Sequence, residues 1–236
     1  MKPRANQTEN AQQFFKGQIR GWFESNKRDF PWRKTTEPYR LLIAEMMLRR
    51  TRAGQVGPVY EKFISSFRNP QELAEASPEV VATVLRPLGL TWRVPAFQLM
   101  ARQLVTRYRG TVPLARDELL SLPGVGDYVA DAVLCFAYGE PVSIVDTNTV
   151  RVAGRYFGFS FGPDSRRLKA VRQAVAELLD RTKPVESNLA LLDFAATICK
   201  ATKPICAECP VATRCVWQRS QARAATRQFS DRQLSR

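Results

Sequence analysis

The chain has 236 residues, enough for one large folded body or two small lobes. It carries 36 Lys and Arg against 22 Asp and Glu, a formal charge of +14 and a pI near 10.1, with 44% hydrophobic residues, so it reads as a folded globule whose partner is a polyanion. It contains no histidine, which excludes Ser-His-Asp chemistry, a histidine general base and every His-containing zinc site, and leaves catalysis to carboxylates, hydroxyls, Lys or Cys.

The N-terminal stretch MKPRANQTENAQQ is polar and has no apolar signal core, and no run approaches the ~18 apolar residues of a membrane span. The expectation is a cytoplasmic, soluble protein without membrane association. Residues 1 to about 10 read as disordered. A helix is expected from Ala11 to about Ser25, with Phe14, Phe15, Ile19, Trp22 and Phe23 on one side. Phe30-Pro31-Trp32-Arg33 makes a stiff aromatic loop whose rings suit the core and whose guanidinium suits a phosphate or a carboxylate. Pro38 fits a helix start, with Leu41, Leu42, Glu45 and Leu48 following at helical spacing. Glu45 then lies on or beside an apolar face, either as a satisfied buried group or as a functional carboxylate. Arg49, Arg50 and Arg52 cluster just after it.

Ser77-Pro78 caps a helix carrying Val80, Val81, Val84 and Leu85, which Gly89 ends. Leu90-Thr91-Trp92-Arg93 turns into a helix from about Val94 to Tyr108, and a short helix spans Asp117 to Leu120. Further on, helices are expected over Asn148–Tyr156, over Arg166–Asp180 with an inner stripe of Leu168, Val171, Val175 and Leu178, and over Glu186–Ile198. Residues 218–236 carry Arg219, Arg223, Arg227, Arg232 and Arg236 against Asp231 alone and read as a disordered basic tail. No alternating strand run and no internal repeat breaks this pattern, so the fold is expected to be all-α.

The stretch LPGVGDYVADAVLCFAYGEPVSIVD, residues 122–146, holds the densest signal. A glycine turn, Leu122-Pro123-Gly124-Val125-Gly126, leads into a helix on which Tyr128, Val129, Ala132, Val133 and Phe136 share a face. Such a turn offers backbone N–H groups and a helix dipole to an anion, and glycine lets that anion come close. The stretch ends on one carboxylate, Asp146, after the apolar run 142–145. An ordinary structural helical hairpin with a surface Asp is the competing reading.

Four of the five cysteines, Cys199, Cys206, Cys209 and Cys215, stand in the spacing C-x6-C-x2-C-x5-C. Disulfides do not suit a cytosolic chain, and structural zinc favours two close Cys pairs where only Cys206 and Cys209 form one. Four thiolates around a small loop suit a [4Fe–4S] cube. Cys135, on the helix after the glycine turn, reads as a small buried apolar residue.

LPGVG followed by a helix, then VD-x-N with Val-Arg behind it, resembles the helix-hairpin-helix DNA glycosylases of the endonuclease III superfamily, over residues 11 to 217. The resemblance implies a two-lobed fold: a six-helix barrel with the hairpin over residues 31–140, and a lobe of residues 11–30 and 141–217 bearing an iron–sulfur cluster on the four cysteines. It implies double-stranded DNA with a mismatched or damaged base as partner, a monomer, and a target nucleotide flipped into the groove between the lobes. Where bifunctional members have a lysine this chain has Tyr128, which has no amine for a Schiff base, so base release without strand cleavage is implied.

LLIAEMMLRRT is similar to two subfamilies. Mismatch-specific thymine glycosylases have the Glu, the Arg-Arg-Thr seen here as Arg49-Arg50-Thr51, and the tyrosine. Adenine glycosylases acting opposite 8-oxoguanine have the Glu, but a Gln-Gln pair after it, a Gly-Tyr-Tyr turn in place of Leu90-Thr91-Trp92, and an additional C-terminal domain for which the roughly 20 residues after Cys215 leave no room. The similarity therefore implies removal of thymine or uracil opposite guanine, with the adenine enzyme as the alternative. By the same resemblance Asp146 stabilises the sugar cation or activates water, Asn148 holds Asp146 or the water, Tyr128 lines the sugar pocket and Glu45 contacts the flipped base. Leu122, Gly124, Val125 and Gly126 form the phosphate seat, Arg49, Arg50 and Arg33 contact DNA, and Arg50 or Leu48 fills the vacated space in the duplex. A DNA-binding or redox-sensing iron–sulfur protein without catalysis is the non-enzymatic reading.

Overall fold

The computed structural model of the chain describes residues 5–162 and 164–221, with side chains from residue 9 onward. All regular structure among the described residues is helical, and none of these helices is long and apolar enough to cross a membrane. The order is α1 (Ala5–Asn26), α2 (Pro38–Leu48), α3 (Ala53–Ser66), α4 (Pro70–Glu75), α5 (Pro78–Leu85), α6 (Val94–Tyr108), α7 (Arg116–Ser121), α8 (Asp127–Tyr138), α9 (Thr147–Phe157), α10 (Lys169–Glu177) and α11 (Pro184–Thr197). The chain divides into two compact units, one of residues 29–140 and one of residues 1–28 with 141–236.

Within residues 29–140, α2 is the central helix. Tyr39 and every residue from Leu41 to Met47 are buried, as expected of a helix apolar on nearly all sides. Glu37 starts it, its carboxylate accepting from the N–H groups of Tyr39 (2.9 Å) and Arg40 (2.8 Å). Helices α3 and α8 pack on it, and α4 and α5 pack on α6. Phe63 and Phe97 meet at 5.6 Å between ring centroids in the core. Helices α3 and α4 lie between Thr51 and Ala76, a stretch for which no element was named from the sequence. Gly54, Gly57 and Pro58 disguise α3, and tertiary burial of Val56, Val59, Tyr60 and Phe63 overrides their low propensity. In α4, Asn69 caps a helix of only six residues.

In the other unit, α1 lies against α11, and α9 packs on α10 and α11. Phe15 anchors this core, 4.8 Å from Tyr156 and 6.2 Å from Phe194, edge to face in both cases. Asp193, fully buried on α11, accepts from the backbone N–H of Arg28 at 3.0 Å and from its Nε at 2.5 Å. The extended segment before Asp146 has no sheet partner. Buried Asn188 substitutes for one: its Oδ1 accepts from Ile144 N–H at 2.9 Å and its Nδ2 donates to Val142 O at 3.0 Å.

Three expectations are corrected here. Residues 5–10 belong to α1 and not to a disordered arm, because Ala, Gln and Glu are competent helix formers and Arg214 holds that end through Asn10, at 3.0 Å to its carbonyl and 2.6 Å to its Oδ1. The helix expected over Arg166–Asp180 begins only at Lys169. A 3-10 turn, Ser165–Arg167, precedes it and Leu168 is extended between the two, which leaves Leu168 57% exposed and outside the inner stripe. Residues 216–221 are helical, so the basic tail expected from 218 does not begin there; Arg223, Arg227, Asp231, Arg232 and Arg236 lie outside the described residues.

Asp193→Ala should lower the unfolding free energy by about 2–4 kcal/mol, because it removes the acceptor for a cation and a backbone N–H in a buried site. Urea unfolding measures this, and a change under about 0.5 kcal/mol would contradict the assignment.

Candidate functional site

The glycine turn is built by its neighbours in residues 29–140. Val125 N–H closes it onto Leu122 O at 3.0 Å. Gly124 has φ +81, and a Cβ there would stand 3.0 Å from Met46 Cε and 3.2 Å from Ala96 Cβ, so both the backbone conformation and the packing call for glycine. Leu122 and Val125 point into the core at 2% and 9% exposure, so only their backbone is available to a ligand. Arg116 fastens the flanking helices: its Nη2 donates to Asp127 at 2.6 Å and its Nε to buried Asp131 at 2.9 Å. These bonds, to Asp131 first, raise its pKa above the ordinary guanidinium value. Gly126, the exposed N-cap of α8, provides no side-chain cap, so the positive end of the helix dipole lies at the turn.

Arg49 does not extend freely. Its Nη1 donates to Gly124 O at 2.6 Å, bracing the turn from behind. Arg50 is exposed and held at φ +62, a left-handed conformation rare outside glycine. Glu45, on α2, is 2% exposed. Arg33 lies in the short helix Pro31–Lys34, its guanidinium 5.2 Å from the Phe30 ring, and Phe30 stacks at 4.8 Å on buried Trp32. Tyr128 is half-buried in the first turn of α8.

In the other unit, Asp146 is the N-cap of α9. Its Oδ1 accepts from the N–H groups of Asn148 and Thr149, each at 2.8 Å, and its Oδ2 accepts from Asn148 Nδ2 at 2.6 Å. Thr149 Oγ1 accepts in return from Asp146 N–H at 3.0 Å, completing a capping box. The carboxylate is therefore fixed in both position and plane. Behind it, Arg151 Nη1 donates to Asn148 Oδ1 at 2.9 Å, while its Nε and Nη2 donate to Cys199 O at 2.9 Å and Ala195 O at 2.8 Å. Burial lowers the pKa of Arg151 from its ordinary value, against the opposing pull of Cys199 and Asp146.

Cys199, Cys206, Cys209 and Cys215 line one small cavity with Arg155 and Trp217. Arg155 holds the loop, donating from Nη1 to Lys200 O at 2.6 Å and from Nη2 to Ala201 O at 2.9 Å, with Cys199 Sγ at 3.5 Å from Nη1. Burial pushes the Cys209 thiol up to about 11, and the other three cysteines push the same way. Thiolates in one short loop repel one another unless a cation joins them. No three Cys, Asp or Glu side chains among the described residues converge on a single ion. Arg214, in the same loop, is bound to Asn10 and lies 4.3 Å over the Phe14 ring. Cys135 is buried, as an apolar residue would be.

Sequence reasoning did not find Arg116, Asp127 and Asp131, nor the bracing role of Arg151. The one signal for the first group was the offset of an Arg and two Asp residues on either side of the turn. For Arg151 it was the i+3 offset from Asn148.

Residues 43–180 match the sequence profile of the HhH-GPD superfamily of base excision DNA repair proteins. A thymine/uracil-DNA glycosylase of Methanothermobacter thermautotrophicus is 36% identical over 209 residues, 88% of this chain and 95% of that protein. A human adenine DNA glycosylase is 32% identical over 85% of this chain but 39% of its own length. The structure of a thermostable thymine-DNA glycosylase superposes with a TM-score of 0.85 at 34% identity, covering 90% of this chain and 99% of that one.

Substitutions at two positions test the local geometry. Gly124→Ala should cost about 2–4 kcal/mol, from left-handed backbone strain plus crowding against Met46 and Ala96. Asp146→Ala should cost about 1 kcal/mol and Asp146→Asn less, because asparagine also caps. Chemical denaturation of the three variants checks both, and an Asn variant as damaged as the Ala variant would contradict the capping account.

Proposed function

The chain belongs to the HhH-GPD superfamily of base excision DNA repair proteins, and on that premise we propose that it is a monofunctional DNA glycosylase that removes thymine or uracil opposite guanine and leaves an abasic site. The observation that carries this reading is Asp146: a single carboxylate oriented by three hydrogen bonds at a helix start, in a chain 36% identical to a thymine/uracil-DNA glycosylase. The target nucleotide has to leave the stack for its glycosidic carbon to be reached.

Breaking the N-glycosidic bond builds positive charge on the sugar, as in glycoside hydrolysis. A carboxylate ~4 Å away at an effective dielectric near 20 lowers that barrier by about 4 kcal/mol, roughly three orders of magnitude in rate. Asp146 supplies this charge and accepts a proton from the attacking water, with Asn148 fixing its plane. Tyr128 has no amine, so the abasic sugar is released without strand cleavage. Glu45 reads the edge of the flipped base. Backbone N–H groups at Gly124 and Gly126 take a DNA phosphate, with Arg33 and Arg50 as further contacts and Arg49 acting mainly through the turn it braces.

The four cysteines fit a [4Fe–4S] cluster: they line one cavity, and the positive iron core would relieve the mutual repulsion of their thiolates. A bound cluster would cross-link residues 199–215 within a lobe of residues 11–30 and 141–217, residues 31–140 being the barrel, and base release by Asp146 does not pass through it. The protein acts as a monomer on duplex DNA.

Purified protein on labelled duplexes carrying G:T, G:U and 8-oxoguanine:A, each with and without alkali, tests the reading. Strand breaks at G:T and G:U after alkali only are expected. Breaks at 8-oxoguanine:A alone would replace it with the adenine enzyme, and breaks without alkali would refute monofunctionality. Asp146→Asn should bind DNA normally and lose at least about a thousandfold in base release; activity within a few-fold of wild type would remove Asp146 as the catalytic group.

A further inference from the structure

Helix α8 opens on an acidic side chain, Asp127, directly after the last glycine of the phosphate-seat turn. A carboxylate in a first helical turn suits the helix dipole. This one, with its side chain 65% exposed, also lies where the bare N–H groups of the turn would receive a phosphate, so two negative charges compete for one positive end. Asp131 stands one turn further along α8 and is buried, and like charges four residues apart on a helix destabilise it.

Arg116 joins both carboxylates from the other side of the turn. It is the first residue of α7, where a cation is unfavourable beside the helix dipole and where Asp117 and Glu118 already follow. Its place is explained by what it reaches. Nε donates to Asp131 at 2.9 Å and Nη2 to Asp127 at 2.6 Å. The bond to buried Asp131 fixes the plane of the guanidinium, and the fixed plane in turn holds Asp127. A lysine, with its charge at one point, could not span the two carboxylates in this way.

A bare carboxylate repels a phosphate in full, whereas one paired with a guanidinium repels it as a dipole, whose field falls off more steeply with distance. We propose that Asp127 limits the affinity of the phosphate seat for DNA, and that Arg116 is its positioning residue, holding the carboxylate against α7 and cancelling most of its charge. This rests on DNA being the ligand of the turn, as read above. A chain with a formal charge of +14 attracts any duplex. A carboxylate beside the phosphate seat shortens its stay on duplex that carries no target. An ion pair serving only to join α7 to α8 would leave DNA affinity indifferent to the charge of Asp127.

Asp127→Asn, Arg116→Gln and the double variant test it in the full-length protein, with Kd for an undamaged and a G:T duplex measured across a salt series. Asp127→Asn should tighten binding to both duplexes roughly 2- to 5-fold at low salt, and the gain should shrink as salt screens the exposed charge. Misfolding does not produce tighter binding, so this variant decides the matter even where Arg116→Gln is too unstable to use. Arg116→Gln should weaken binding roughly 3- to 10-fold. In the Asp127→Asn background the same change should cost less than about twofold, because Arg116 then has no charge to cancel there. Asp127→Asn binding no tighter than wild type would overturn the proposal, and an equal cost of Arg116→Gln in both backgrounds would remove Arg116 as the positioning residue. Base release at G:T by the wild type, with Asp127→Asn binding unchanged, would sink this inference alone. No base release from any variant, with the gain and the rescue intact, would sink the glycosylase reading alone.

Discussion

An all-helical protein leaves carbonyls without partners wherever a helix ends or a loop turns, and here arginine side chains satisfy them at nearly every functional element. Arg93 donates to Met46 O near the end of α2, Arg49 to Gly124 O in the turn, Arg151 to Ala195 and Cys199 at the end of α11, and Arg155 to Lys200 and Ala201 in the cysteine loop. The guanidinium is suited to this because its fork of donors spans two or three carbonyls and stays charged when buried. Part of the +14 surplus is therefore structural. A positive charge that appears from composition to be waiting for nucleic acid is, at these positions, already engaged inside the protein.

The same economy governs the acidic groups. Asp146 caps a helix and, in the proposed mechanism, faces a developing cation. A cap must have its oxygens aimed at backbone N–H groups, and that requirement holds the carboxylate still without a dedicated support. Asn148 serves the cap on one side and is itself held by Arg151, whose other donors grip the end of α11 and the first cysteine of the loop. The position of the carboxylate is thereby tied to the conformation of residues 195–199. A disturbance of the cysteine loop has a direct covalent and hydrogen-bonded route to Asp146 within this unit.

Glycine is needed in the phosphate-seat turn for two separate reasons, a positive φ and the lack of room for a methyl group. Helices α7 and α8 are pinned across it by one arginine on two aspartates, while α2 and α6 close its back through Met46 and Ala96. The turn is rigid because four helices meet there, and a rigid set of backbone N–H groups binds an anion without first paying to be ordered.

The sequence by itself determined the all-α class, most helix starts, the glycine turn, the candidate carboxylate and the four-cysteine loop. Each of these is a local signal: proline and serine at helix starts, glycine at a left-handed position, apolar residues at helical spacing, cysteines in a short loop. The tertiary structure alone decided α3, whose glycines and proline argue against a helix until burial of Val56 and Phe63 overrides them. It alone exposed Leu168, because the 3-10 turn before α10 shifted the register of the stripe. It also separated the arginines that brace carbonyls, Arg49, Arg93, Arg151 and Arg155, from Arg50 and from Trp92 on the surface. The sequence carries no mark of that division, since an arginine's partner is set by what folding brings within about 3 Å of its donors.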